Sequence, residues 1–285
     1  MRASSLSLAL LLIATPAMAA TATMTGDPAA VVAAERAFAA DGLAMGIKAS
    51  FLKHSAPDAI VFAPGPVKAH DLYAQRPDQK GPPLVWWPLW AGIARSGDLG
   101  FTTGPATYDG RESGWYFTVW AKQPDGGWKW LYDGGAASAH GKAPPQGSQP
   151  TYLPASSGPS ATADQAMSEV RAAEAALAAG AASDAKSAYL MALSPDARVA
   201  GSPAAPATTQ AAVLVELSSR APQIQFSTLG GGASSAGDLA WTYGDAAWTQ
   251  GEKPARGHYV RIWQSRAEGW RLVFDQILPV AQAKS

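Results

Sequence analysis

The chain has no cysteine among its 285 residues, which excludes disulfides, thiolate metal sites and cysteine nucleophiles. Histidine is scarce: the four stand at positions 54, 70, 140 and 258, too scattered to suggest a histidine metal site. Charged residues make up only 15% of the chain, and 22 basic side chains balance 22 acidic ones. A binder of nucleic-acid phosphates needs clustered Lys and Arg, so that class is excluded. Beyond the first 20 residues no apolar run approaches the 18 or so that a membrane helix requires. No G-x-S-x-G, Walker loop, dinucleotide glycine fingerprint or His-rich metal motif occurs. Neither a metal nor a cofactor is expected, and the remaining partners are small molecules or other proteins.

What is present begins with an address. Met1-Arg2, an apolar run from Leu6 to Ala14 and then Pro16-Ala17-Met18-Ala19-Ala20 read as a secretory signal peptide over residues 1–19, cut after Ala19. The expected location is therefore periplasmic or secreted.

The chain then repeats itself. Ala34-Glu35-Arg36-Ala37-Phe38 recurs as Ala173-Glu174-Ala175-Ala176-Leu177, and Pro57-Asp58-Ala59 as Pro195-Asp196-Ala197. Gly97-Asp98-Leu99-Gly100-Phe101-Thr102-Thr103-Gly104 recurs as Gly237-Asp238-Leu239-Ala240-Trp241-Thr242-Tyr243-Gly244. Gly114-Trp115-Tyr116 with Trp120 matches Gly257-His258-Tyr259 with Trp263, and Gly127-Trp128 through Asp133 matches Gly269-Trp270 through Asp275. Five blocks in one order, at offsets of 138 to 143 residues, mark a tandem duplication. The expected units are residues 27–135 and 164–285. Between them, 136–163 carries Pro144, Pro145, Pro150, Pro154 and Pro159 among Ser, Gly and Ala, which reads as an extended linker.

Each copy opens on helix signals and closes on strand signals. Asp27-Pro28 and Asp164 suit helix starts, and apolar residues follow at broadly helical spacing, interrupted near Gly42 and Gly46 in the first copy. Residues 69–75 and 208–218 predict a further helix. The segments 59–63, 84–86, 99–107, 115–122 and 128–133 read as strands, parted by turns such as Pro124-Asp125-Gly126-Gly127. Helices first and strands afterwards predict an α+β fold, with helices packed on one face of a curved antiparallel sheet.

These residues resemble a family. Glu-x-x-Phe in a first helix, Asp58-Ala59-Ile60-Val61-Phe62-Ala63-Pro64-Gly65 in a first strand, Gly97 through Pro105, and the run Tyr116 to Asp133 are similar to the nuclear transport factor 2-like superfamily. That superfamily includes ketosteroid isomerases, SnoaL-like polyketide cyclases and many secreted domains without known activity, the last being the nearest in pattern. The resemblance implies two tandem cystatin-like, cone-shaped domains arranged as a pseudo-dimer. It specifies fold and leaves function open, because such folds host enzymes and inert binders alike.

Comparison of the copies sorts the candidates. Shared residues serve the shared fold more often, and unshared ones serve a task. Asp98 and Asp238 read as turn residues, and Glu35 and Glu174 as a solvated helix face or partners of an arginine. Asp133 and Asp275 end the last strand, as surface ion pairs with Lys129 and Arg271 or, if buried, as general bases. Alternation along that strand sets Trp115, Trp128, Trp130 and Tyr132 on the face opposite Asp133, an apolar face needing a cover. Trp87 and Trp90 have no counterpart opposite Gly230-Gly231-Gly232, which suggests a different loop in the second copy. With Trp86 and Tyr108 they are the expected lining of a ligand pocket in the first copy, the copy expected to hold the larger and more aromatic cavity. Catalytic candidates are Asp133, Tyr116 and His54. The isomerase resemblance implies an aspartate base with tyrosine and protonated-acid donors, although no isomerase motif matches position by position. The leading reading is a non-catalytic binding protein; the alternative is a cofactor-free isomerase, cyclase or dehydratase working by acid–base chemistry.

Overall fold

The computed structural model describes residues 26–77 and 81–281; the expected signal peptide lies outside them. The elements, in order, are α1 (Ala29–Met45), α2 (Ile47–His54), β1 (Ser55–Phe62), β2 (Pro66–Lys68), α3 (Ala69–Ala74), β3 (Leu84–Trp86), β4 (Trp90–Ile93), β5 (Leu99–Tyr108), β6 (Arg111–Lys122), β7 (Trp128–Ala136), β8 (Thr151–Tyr152), α4 (Ala163–Ala192), β9 (Leu193–Ala200), α5 (Gln210–Ser219), β10 (Ile224–Ala233), β11 (Leu239–Gln250), β12 (Lys253–Arg266) and β13 (Gly269–Pro279). They form two α+β units, each with helices against one face of its own sheet. No helix among the described residues is long and apolar enough to cross a membrane.

The first sheet runs β2-β1-β7-β6-β5-β4-β8 with β3 also on β5, and the second runs β10-β11-β12-β13-β9. Most pairs are antiparallel, but β1 joins β7, β9 joins β13 and the short β8 joins β4 in parallel. For the first two this follows from chain order: the first strand enters from a helix, on the same heading as the last. The ladders of the two units are in register. Thr102 faces Thr118 as Thr242 faces Arg261, and Gly104 faces Tyr116 as Gly244 faces Tyr259.

Local chemistry sets the element ends. In α1, Val31, Val32, Glu35 and Phe38 form the buried stripe, three or four residues apart as a helix demands. The helix stops at Gly46, whose φ of 85° costs glycine little. In the second unit the same break falls inside α4, where Asp184 leaves helical geometry. That helix starts on Thr162 rather than Asp164, through a reciprocal capping box with Gln165.

The aromatics of β7 do not share a face. A bulge leaves Leu131 unpaired, since Val119 faces Tyr132 while Trp120 faces Trp130. The extra residue inverts the alternation, so Trp130 packs beneath the helices and Tyr132 on the opposite side of the sheet. Strand β13 carries the same bulge at Val273.

The glycine run is also strand rather than loop. Gly230 pairs with Tyr243 where Trp90 pairs with Thr103, so bulk lost on one strand returns on its neighbour. In the first unit Pro88 cannot donate to the ladder, and the equivalent strand splits into β3 and β4.

The sheet faces turned away from the helices meet in one core. It contains Trp90, Phe101, Phe117, Val119, Tyr132 and Leu153 from the first half, and Leu239, Trp241, Val260, Ile262 and Phe274 from the second. Phe117 and Phe274 stack with centroids 3.9 Å apart and planes 7° from parallel. The turns before β5 and β11 clasp each other: Ser235 N donates to Asp98 (2.9 Å) and Arg95 N to Asp238 (3.0 Å). Both aspartates are thus turn residues that reach the neighbouring unit's turn. The proline-rich segment packs as well. Leu153 is buried, its N–H bonding Ala91 O at 2.8 Å, and Pro154 O accepts from Gln264 (3.0 Å). Extended chain suits an edge strand, which is how this segment joins the first sheet.

Because the stacked ring is wholly buried, Phe274→Ala is expected to cost about 3–5 kcal/mol, read as a lower urea midpoint. Cleavage within the exposed stretch 144–147 is expected to leave the halves together on size exclusion; two separated monomers would contradict the shared core.

Candidate functional site

The helix-covered face of each sheet forms a cone, and the two cones differ in what fills them. In the first, Glu35 on α1 is fully buried and accepts bonds from Trp86 Nε1 (2.5 Å), Trp120 Nε1 (3.0 Å) and Thr102 Oγ1. Burial raises its pKa against those hydrogen bonds. Asp133 on β7 accepts one bond, from Thr118 Oγ1 at 2.8 Å. Burial, with the charge of Glu35 adding to it, pushes Asp133 well above the usual carboxylate range. Tyr116, also buried, keeps its hydroxyl without a hydrogen-bonding partner, and burial followed by the Glu35 charge pushes that phenol well up. Tyr116 and Asp133 line one cavity of about 420 Å³ with Phe51, Tyr73, Leu84, Trp86 and Trp115. It shares Tyr73, Arg76 and Asp133 with a cavity of about 550 Å³ that the second unit also lines, with His258 and Pro279.

The second cone is filled by its own side chains. Arg261 stands on β12 where Thr118 stands on β6. Its guanidinium donates to Glu174 (2.6 Å), Asp275 (2.7 Å) and Tyr189 Oη (2.9 Å). Its carbon lies 3.9 Å from the ring centroid of Tyr259 and 4.2 Å from that of Phe226. Arg220 adds a second cation on Asp275 at 2.6 Å. Burial alone would push Asp275 up, but Arg220 and Arg261 together hold it below its ordinary value. Tyr189 is buried and pushed up to about 12. The cavity in this unit, about 770 Å³, is lined by Glu216 and Arg220 at the end of α5 and by Ile224, Trp248 and Ile277 of the sheet. The expectation of a larger cavity in the first copy is therefore overturned on volume. The aromatic lining does favour the first copy: Trp248 is the one aromatic ring of the 770 Å³ cavity.

The structure brings Asp133 and Tyr116 together and adds Trp86, which also holds Glu35. It does not bring the others. Trp90 is buried between the sheets against Phe101, with the Arg198 guanidinium 4.3 Å from its ring centroid. Trp87 alternates to the other side, donates to Pro144 O (3.0 Å) and lines a separate cavity of about 300 Å³. Tyr108 is exposed at the end of β5. His54 bonds Asp41 at 2.6 Å, outside the cavity, and burial lowers its pKa. Glu35 and Glu174 are buried rather than solvated, and Asp133 and Asp275 form no pair with Lys129 and Arg271. Those two cations bond the carbonyls of Lys53 and Met191 (2.7 Å for the latter).

Sequence reasoning passed over the Thr118/Arg261 pair, although both sit inside a matched block, midway between Tyr116 and Trp120 and between Tyr259 and Trp263. The signal was a neutral residue in one copy opposite a charged one in the other. Among the described residues no cluster of acidic and histidine side chains suits a metal ion.

Two outcomes follow. Arg261→Met leaves Glu174 and Asp275 buried without that cation, and is expected to destabilise by about 3–5 kcal/mol. Asp133 is the reverse case. Its raised folded pKa means that its contribution is fully present below the unfolded pKa and falls away as pH rises toward the folded one. Asp133→Asn is therefore expected to stabilise the protein at neutral pH and to flatten its Tm between acidic and neutral pH. An unchanged profile would place Asp133 in solvent.

No protein-family model and no curated protein matches the chain. Among solved structures it is similar to a ketosteroid isomerase-like protein from Erwinia carotovora atroseptica, 12% identical, over 42% of this chain and 99% of that one, with a TM-score of 0.38. A protein of unknown function with a cystatin-like fold from Nostoc punctiforme is 11% identical over 41% and 92%, with a TM-score of 0.34. An NTF2-like protein of unknown function from Pseudomonas putida is 11% identical over 44% and 93%, with a TM-score of 0.36.

Proposed function

We propose that the chain is an exported small-molecule-binding protein whose first unit holds the ligand and whose second unit is its structural partner. One observation carries this reading: a single position is Thr118 in the first cone and Arg261 in the second. The arginine fills its cone and neutralises both carboxylates. The threonine leaves a cavity of about 420 Å³, within the size range of small-ligand sites. Asp133, which lines it, has one hydrogen bond to its carboxyl, from Thr118, and Tyr116, which also lines it, keeps its own hydroxyl buried without a partner. Under-satisfied polar groups cost stability, and a ligand on Asp133 offsets part of that cost.

The acid–base alternative has one observation in its favour, the shared cavity of Asp133 and Tyr116. A neutral carboxylic acid and a phenol are suitable donors to a developing oxyanion. Binding is preferred because, among the described residues, Asp133 is the only carboxyl lining this cavity. Glu35 lies behind Trp86 with its hydrogen bonds made. Isomerisation by proton transfer needs a base besides the two donors.

Native mass spectrometry on protein taken gently from its own host tests export and binding together. The expected mass lacks residues 1–19 and carries a stoichiometric adduct that is absent from Thr118→Arg. A bare chain in wild type and variant alike would contradict the binding reading, and a retained leader would contradict export.

A further inference from the structure

The second cone serves as a template for what the first is built to hold. Every residue around the Arg261 guanidinium has a counterpart at the matching ladder or helix position. Glu174 corresponds to Glu35, Asp275 to Asp133, Tyr259 to Tyr116, Phe226 to Trp86 and Tyr189 to Phe51. The acceptors and rings remain, while the cation is gone. The other polar satisfactions have been removed as well. Tyr259 Oη bonds Thr228 at 2.7 Å, and the residue matching Thr228 is Pro88, which has no hydroxyl; Tyr116 Oη is accordingly unpartnered. Arg220 grips Asp275, whereas its counterpart Arg76 is exposed and lies over the Tyr73 ring, 5.1 Å from its centroid.

We propose that the first cavity binds a small organic cation, a primary ammonium or guanidinium on an apolar or aromatic body, seated on Asp133 between the rings of Trp86 and Tyr116. This deepens the binding reading above and rests on it. Asp133 releases its proton to solvent as the cation is seated and then supplies a charge-assisted hydrogen bond, while the ring faces supply cation–π attraction. The body of the ligand lies against Phe51, Leu84 and Trp115. Arg76, which also lines the cavity, does not oppose this arrangement, because Asp275 carries both Arg220 and Arg261 in the second unit.

Calorimetry on the chain without residues 1–19, with 2-phenylethylamine and its neutral counterpart 2-phenylethanol as probes, tests the proposal. The amine is expected to bind at least about tenfold more tightly than the alcohol, a preference of the size that one desolvated charge contact provides. Asp133→Asn is expected to remove that preference, and Thr118→Arg to remove binding of both probes. If Thr118→Arg fails to fold by circular dichroism, the Asp133→Asn comparison decides alone. Equal affinity of wild type for both probes overturns the cation and leaves the binding pocket standing. Binding of neither probe overturns both.

Discussion

One buried carboxyl on the first helix of each unit, Glu35 or Glu174, is the interaction around which the rest is arranged. It ties helix to sheet by accepting from a threonine on the third-last strand and a tryptophan on the next: Thr102 and Trp120 in one unit, Thr242 and Trp263 in the other. A carboxyl group in such a place has to be neutral, or paired with a cation. The two units have taken opposite courses. The second pairs its acid with Arg261 and closes. The first surrounds its acid with neutral donors, and a cavity is left beneath the helices.

The same choice governs the rest of each cone. With Arg261 present, Asp275 is ionised and Tyr189 is locked by hydrogen bonds to both; the interior becomes a rigid polar core. With Thr118 present, burial and the nearby Glu35 push Asp133 well above the usual carboxylate range, Tyr116 loses its partner through Pro88, and Arg76 stays outside. The shared sheet-to-sheet core lets the units diverge in this way. Each contributes one apolar face to a common interior, so one cone can open while the other holds the pair together.

Much of this was legible in the sequence. The duplication, the α+β class and the helices followed by strands came from matched blocks and turn chemistry. The packing of the two units was anticipated from aromatics on the strands, but of the four that carried the reading only Tyr132 lies in the shared core, while Trp115, Trp128 and Trp130 sit on the helix-covered side. What the sequence hid were events of one residue. The bulge at Leu131 inverts the alternation of β7, which is why Trp130 and Tyr132 were read onto one face and Asp133 onto the other. Trp90 looked unmatched because its counterpart in volume, Tyr243, sits on the neighbouring strand. Glu35 and Glu174 read as a solvated face or partners of an arginine; the second holds for Glu174, paired with Arg261. Their burial was hidden because helical position gives a face but not its cover, and α1 is so rich in alanine that its apolar stripe is faint. Thr118 and Arg261 were readable as a pair, yet their meaning depends on which carboxyls face them across the cone.

Two matched aspartates are shifted in opposite directions by their surroundings. A carbon-13 carboxyl NMR titration of the protein, with Asp133→Asn and Asp275→Asn for assignment, tests this directly. Asp133 is expected to titrate well above the ordinary aspartate range and Asp275 below it. Two aspartates titrating together near the ordinary value would contradict it.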